Sequence, residues 1–138
     1  MILPAVAAVG VGFLLREPCH PRKEKLMIID FRTYRLKPGM TDDYVRVVRD
    51  EAIPLLRKAG LDVVAFGVSE SEIDGHTDVY LVRAFPSLDV MHEQEGAFYS
   101  SDAWLQGPSE AVVSRIESYH AVAIELSEQA VDLLRNEA

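Results

Sequence analysis

Two units of strand, helix and strand, joined through one hairpin signal, constrain this chain more than any other feature of its sequence. Residues 27–36, MIIDFRTYRL, alternate as a strand does. Ile29, Phe31 and Thr33 share one face, and Ile28, Asp30, Arg32, Tyr34 and Leu36 share the other. Lys37-Pro38-Gly39 is a turn signal. Thr41 is placed to cap a helix, with Asp42 and Asp43 in a first turn whose dipole favours anions. Val45, Val48, Ala52, Leu55, Leu56 and Ala59 then fall at helical spacing. Pro54 lies inside that stretch and predicts a kink, because it cannot bond to the Asp50 carbonyl. Gly60 closes the helix as a C′ residue.

Leu61–Ser69 is rich in Val and predicts a second strand. The polar stretch after it contains Asp74-Gly75 and predicts a hairpin. Thr77–Phe85 is the third strand, with Val79, Leu81 and Phe85 opposite Tyr80, Val82 and Ala84. Ser87 caps a helix over Leu88–Tyr99. Short helical segments follow around Ser101–Gln106 and Ser109–Val112, separated by Gly107-Pro108. A fourth strand lies within Val113–Glu125, and Ser127 caps a last helix that turns Val131 and Leu134 inward.

The fold class is therefore α+β: a ferredoxin-like βαββαβ domain with an antiparallel four-stranded sheet and an extra C-terminal helix. Helices are expected on one face of the sheet. The face carrying Ile28, Asp30, Arg32, Tyr34 and Leu36 is expected to be the bare one, and its mixed character predicts a pocket or a partner.

The length, 138 residues, suits one domain, and 49% hydrophobic residues supply a core. Residues 1–26 do not match the rest. MILPAVAAVGVGFLL is apolar but shorter than the roughly 20 residues of a membrane span, and its positive charges follow it instead of preceding it. We expect a non-native or disordered leader over 1–26 and the domain over 27–138; a weak membrane or export segment is the rival reading. The net charge of −8 repels phosphate backbones, so nucleic acid is not an expected partner; a membrane is not expected either, the apolar run being short for a span. Cys19 is the single cysteine and forms no internal disulfide, which fits a cytoplasmic location.

Four stretches carry a resemblance: MIIDFRTYRLKPGM at the first strand, PLLRKAG closing the first helix, DVYLVRAFPSLD at the third strand, and SSDAWLQ after the second helix. In this order and spacing they resemble a NIPSNAP-family domain across most of residues 27–115. The resemblance implies a dimeric α+β barrel, in which two ferredoxin-like sheets pack face to face in a homodimer. Asp30, Arg32 and Tyr34 would then line the barrel. Most members of the family have no settled activity, so the resemblance implies fold and dimer more than chemistry.

The candidate site follows from these residues. Asp30 accepts from Arg32, Arg32 binds a carboxylate or enolate oxygen, and Tyr34 donates a hydrogen bond. The alternative is a set of structural pairs at a dimer interface. Arg83 interrupts an apolar strand and is expected to pair with an acid across the sheet or interface. Trp104 either walls a ligand pocket or plugs the core. His92, one turn before Glu95, is a further candidate ligand-binding residue. His120 is the candidate general base, or haem ligand by resemblance, and Tyr34 and Arg32 are the other catalytic candidates.

No metal is expected, since no His or Cys stands at ligand spacing and HExxH and CxxC are absent. No cofactor is expected, with haem the one alternative. GxSxG, P-loop and GxGxxG motifs are also absent, against common hydrolases, NTPases and dinucleotide enzymes. The expected function is a homodimeric barrel that binds a small apolar or anionic molecule. The alternatives are a non-catalytic dimerisation or protein-interaction module, and a cofactor-light monooxygenase or isomerase.

Overall fold

The computed structural model of the chain describes residues 24–136. The leader expected over 1–26 lies, except for its last three residues, outside the described residues. Strand β1 spans Leu26–Leu36, β2 Asp62–Ile73, β3 His76–Phe85 and β4 Ile116–Ser127. They form one four-stranded sheet in the order β2-β3-β1-β4 with antiparallel neighbours, the ferredoxin-like arrangement. Helices α1 (Thr41–Val47) and α2 (Ile53–Lys58) cross from β1 to β2. Helices α3 (Leu88–Tyr99), α4 (Asp102–Leu105) and α5 (Ser109–Val113) cross from β3 to β4, and α6 (Glu128–Leu134) ends the chain. Among the described residues no helix is long and apolar enough to cross a membrane.

Local chemistry sets most of these boundaries. The side chains of Ser87, Ser101 and Ser127 each accept a hydrogen bond from the backbone N–H three residues on, capping α3, α4 and α6. Gly60 takes φ +88° after α2, and Leu61 N–H bonds to the Leu56 carbonyl in a Schellman closure. Asp74 and Gly75 both have positive φ and form the two-residue hairpin turn, so β2 runs on to Ile73 instead of ending at Ser69. Thr41 is the first helical residue and Met40 occupies the cap position without a side-chain bond. Pro54 does distort its helix. The irregularity is a π-helical turn over Val48–Ala52, in which the Ile53 N–H reaches the Val48 carbonyl just before the proline. The buried stripe is Tyr44, Val47, Val48, Ala52, Ile53 and Leu56; Ala59, expected inside, is exposed.

The two faces of β1 hold their expected members, but their environments are exchanged. Tyr34 and Leu36 pack with Phe66, Val79, Leu81 and Phe85 beneath the helices, in the main core. Ile29 joins Val64, Ala65, Val82, Ala84 and Val131 in a smaller core on the opposite face, under α6. Asp30, Arg32 and Tyr34 therefore lie under the helices, not on the bare face. The physical reason is that their charges are neutralised by α3 and β3, which makes their burial tolerable. The open face instead presents Phe31, Val122 and Ile124, all exposed, beyond the part that α6 covers. Leu134, expected inward, is also exposed.

Candidate functional site

Asp30, Arg32 and Tyr34 are spaced by two on β1, so all three point toward the helices. Directly across the ladder from Asp30 stands Arg83 of β3. Its Nη2 donates to Asp30 Oδ2 at 2.6 Å and to Glu95 Oε1 of α3 at 3.0 Å, and its Nη1 donates to the Tyr99 hydroxyl at 2.9 Å. Arg32 donates from Nε to the same Asp30 Oδ2 at 2.9 Å and from Nη2 to Glu95 Oε2 at 3.1 Å. Glu95 and Tyr99 are four residues apart, hence on one helix face, and both reach the cluster from above.

Two guanidiniums and two carboxyls are thus held together in low dielectric. Isolated, each charge there would be strongly unfavourable; paired and hydrogen-bonded, the set is stable. The match is incomplete. Arg83 Nε is buried and has no hydrogen-bond partner among the described residues.

The electrostatics separate the two carboxyls. Burial, then the hydrogen bond to Asp30, push the Glu95 carboxyl up to about 7. Burial also opposes ionisation of Asp30, but its bond with Glu95 and the Arg83 and Arg32 charges together hold it below the usual carboxylate range. Burial, then the neighbouring Tyr99, raise the Tyr34 hydroxyl to about 12, so it is a neutral donor at physiological pH.

Beside this cluster opens a cleft of about 340 Å³, lined by Arg32, Tyr34, Tyr99, Trp104, Val112, Val113, Ile116 and Tyr119. Arg32 forms its charged wall. Its guanidinium carbon lies 5.8 Å from the Tyr99 ring centre and 5.9 Å from that of Tyr119, within cation–π range. Trp104 contacts the Tyr99 ring edge-on at 5.4 Å and is part of the core as well, so it both walls the cleft and plugs the fold. A second groove of about 400 Å³ lies between α2 and α3 and includes Leu55, Lys58, Leu61 and Phe98. It has no buried polar side chain, whereas the Arg32 cleft has a fixed cation, and we take the latter as the site.

The structure brings together Asp30, Arg32, Tyr34 and Trp104 of the expected residues. His120 is not with them. It pairs with Thr33 on the opposite face of the sheet and is exposed. His92 points to solvent from α3. The cleft lining contains no histidine or cysteine. Sequence reasoning missed Glu95, Tyr99 and Tyr119. Arg83 was the available signal, because a cation in an apolar strand requires an acid from elsewhere in the fold.

A sequence model of the NIPSNAP family matches residues 29–128. The chain belongs to the NIPSNAP family. Solved NIPSNAP structures repeat its fold. One from Agrobacterium tumefaciens is 22% identical, covers 74% of this chain and 87% of its own, and superposes with a TM-score of 0.65. A second from the same organism, described as of unknown function, is 28% identical, with coverages of 73% and 88% and a TM-score of 0.64. A NIPSNAP domain protein of Burkholderia xenovorans is 15% identical, with coverages of 70% and 91% and a TM-score of 0.62. No curated protein matches the sequence.

Proposed function

We propose that this NIPSNAP protein binds a small apolar anion in the Arg32 cleft, and does so as a homodimer. One observation carries the ligand reading. A guanidinium held by Asp30 and Glu95 through Nε and Nη2 stands in the wall of a cleft of aromatic and aliphatic side chains, beside the Tyr34 hydroxyl. Such a cleft desolvates an apolar body and fixes one charged end. The neutral Tyr34 hydroxyl supplies a second donor at the same wall. No metal or cofactor is needed for binding of this kind. The exposed row of Phe31, Val122 and Ile124 supports the dimer, since a two-fold axis sets the same apolar row against itself. The single cysteine supports a reducing compartment, the cytoplasm.

The binding probe is 1-anilino-8-naphthalenesulfonate, an apolar monoanion that fluoresces when it leaves water. At pH 6, Arg32→Gln is expected to weaken its binding by about ten-fold or more, because a charged hydrogen bond is lost from a desolvated site. An unchanged affinity overturns the site.

A further inference from the structure

The four charges of the cluster are not equally fixed. The side chains of Arg83 and Asp30 are 0% and 4% exposed, whereas those of Arg32 and Glu95 are 18% and 13% exposed. Asp30 Oδ2 accepts from both arginines and ties them together from below. Glu95 bridges the same two arginines from the helix side, through one bond to each. If the Glu95 charge is removed, Arg32 keeps Asp30, Arg83 keeps Asp30 and Tyr99, and the cluster holds one cation in excess. That vacancy fits a single negative charge.

We propose that Glu95 is the exchangeable counter-ion of Arg32, so that a monoanion enters the cleft together with a proton. This deepens the binding reading above and rests on it. The proton comes from solvent and goes onto the Glu95 carboxyl; site and ligand together gain no net charge. Glu95 is prepared for the exchange because burial and the Asp30 bond already bring its titration to about 7. The charged groups that act on it are Asp30 and Arg32 from β1 and Arg83 from β3, and the tyrosines beside those arginines are Tyr34 from β1, Tyr119 from β4 and Tyr99 from its own helix. Of these, Arg32 and Arg83 keep their charge, and Tyr34 keeps its proton across the neutral range. Asp30 stays ionised there, which leaves Glu95 as the group that changes. The site therefore prefers monoanions to dianions.

The same sulfonate probe tests this, since it does not titrate near neutrality. For the wild type, binding is expected to weaken by about ten-fold from pH 6 to pH 8, the fraction of neutral Glu95 falling by that factor. Calorimetry at pH 7 in two buffers of different ionisation enthalpy is expected to show uptake of about half a proton per site. Glu95→Gln is expected to bind equally at both pH values with no uptake. Binding that depends on Arg32 but is flat in pH and proton-free overturns the exchange while leaving the cleft intact. A Glu95→Gln protein that keeps the pH dependence overturns it too. Should Glu95→Gln fail to fold, the wild-type proton count decides alone. Probe binding that is absent, or indifferent to Arg32→Gln, defeats the cleft and the exchange together.

Discussion

Arg83→Met is expected to destabilise the protein by about 3–5 kcal/mol, the usual consequence of removing one partner from a buried ionic network. Arg83 is completely buried and donates to Asp30, Glu95 and Tyr99. Met matches its volume closely enough that a cavity is not the cause. The loss comes from Asp30, which is 3% exposed and is left with Arg32 as its one cationic partner. The penalty has a pH signature. In the wild type Asp30 is ionised more readily folded than unfolded, so its contribution is present above its ordinary value of 3.8 and is lost as pH falls. Glu95 acts in the opposite sense: it holds its proton more tightly when folded, so stability drains through it as pH rises from about 4.5 to about 7. Without Arg83 both carboxyls resist ionisation. The deficit of Arg83→Met should therefore shrink in acid, where the variant can protonate both. Urea unfolding at pH 7.5 and pH 4.5 reads this, with the larger deficit at the higher pH. A loss of less than about 1 kcal/mol at pH 7.5 would mean that the cluster is solvated in solution.

Trp104→Ala is expected to cost a further class of stability, about 3–5 kcal/mol, by opening a cavity where three aromatic rings meet. Trp104 is buried, with Phe98 and Tyr99 each 5.4 Å away between ring centres. Its helix α4 is one turn long, held by the Ser101 cap, and has little stability of its own. Loss of the indole therefore loosens α4 and with it one wall of the cleft. Trp104→Phe retains an aromatic filler and should cost much less. Thermal unfolding of both variants gives the ranking; a Trp104→Ala protein as stable as the wild type would show that Trp104 is a loose lining residue and not a plug.

Element order was legible in the sequence because caps, turns and period act locally. Ser87, Ser127, Gly60 and Asp74-Gly75 each do in the structure what their chemistry predicts, whereas Thr41 does not cap α1. The grouping of β1 into two faces was legible for the same reason. The environment of each face was not. Within one strand Asp30 and Arg32 look like members of a bare, mixed face that awaits a pocket or a partner. What buries them is Arg83, 53 residues away from Asp30, and Glu95, 63 residues away from Arg32. Nothing in a ten-residue pattern shows a partner at that distance. The C-terminal helix compounds this by covering part of the other face, around Ile29 and Val82.

The candidate site was half legible. Arg32, Tyr34 and Trp104 line one cleft, and Arg83 does pair with an acid across the sheet. Tyr119 completes the cleft because β4 sets it opposite Tyr34, a register fixed only by the folded sheet. His120 was misplaced by one residue of the same strand, and alternation sends it to the far side. The family gives the fold and no activity, so the chemistry rests on the cleft.

Native mass spectrometry of gently purified wild-type protein beside Arg32→Gln tests the central claim most directly. The expected wild-type spectrum is a dimer carrying a discrete extra mass that leaves on activation as a small organic acid. The expected Arg32→Gln spectrum is the same dimer without it. Bare protein in both spectra, or an extra mass that Arg32→Gln retains, would contradict the claim that this cleft holds an anion through Arg32.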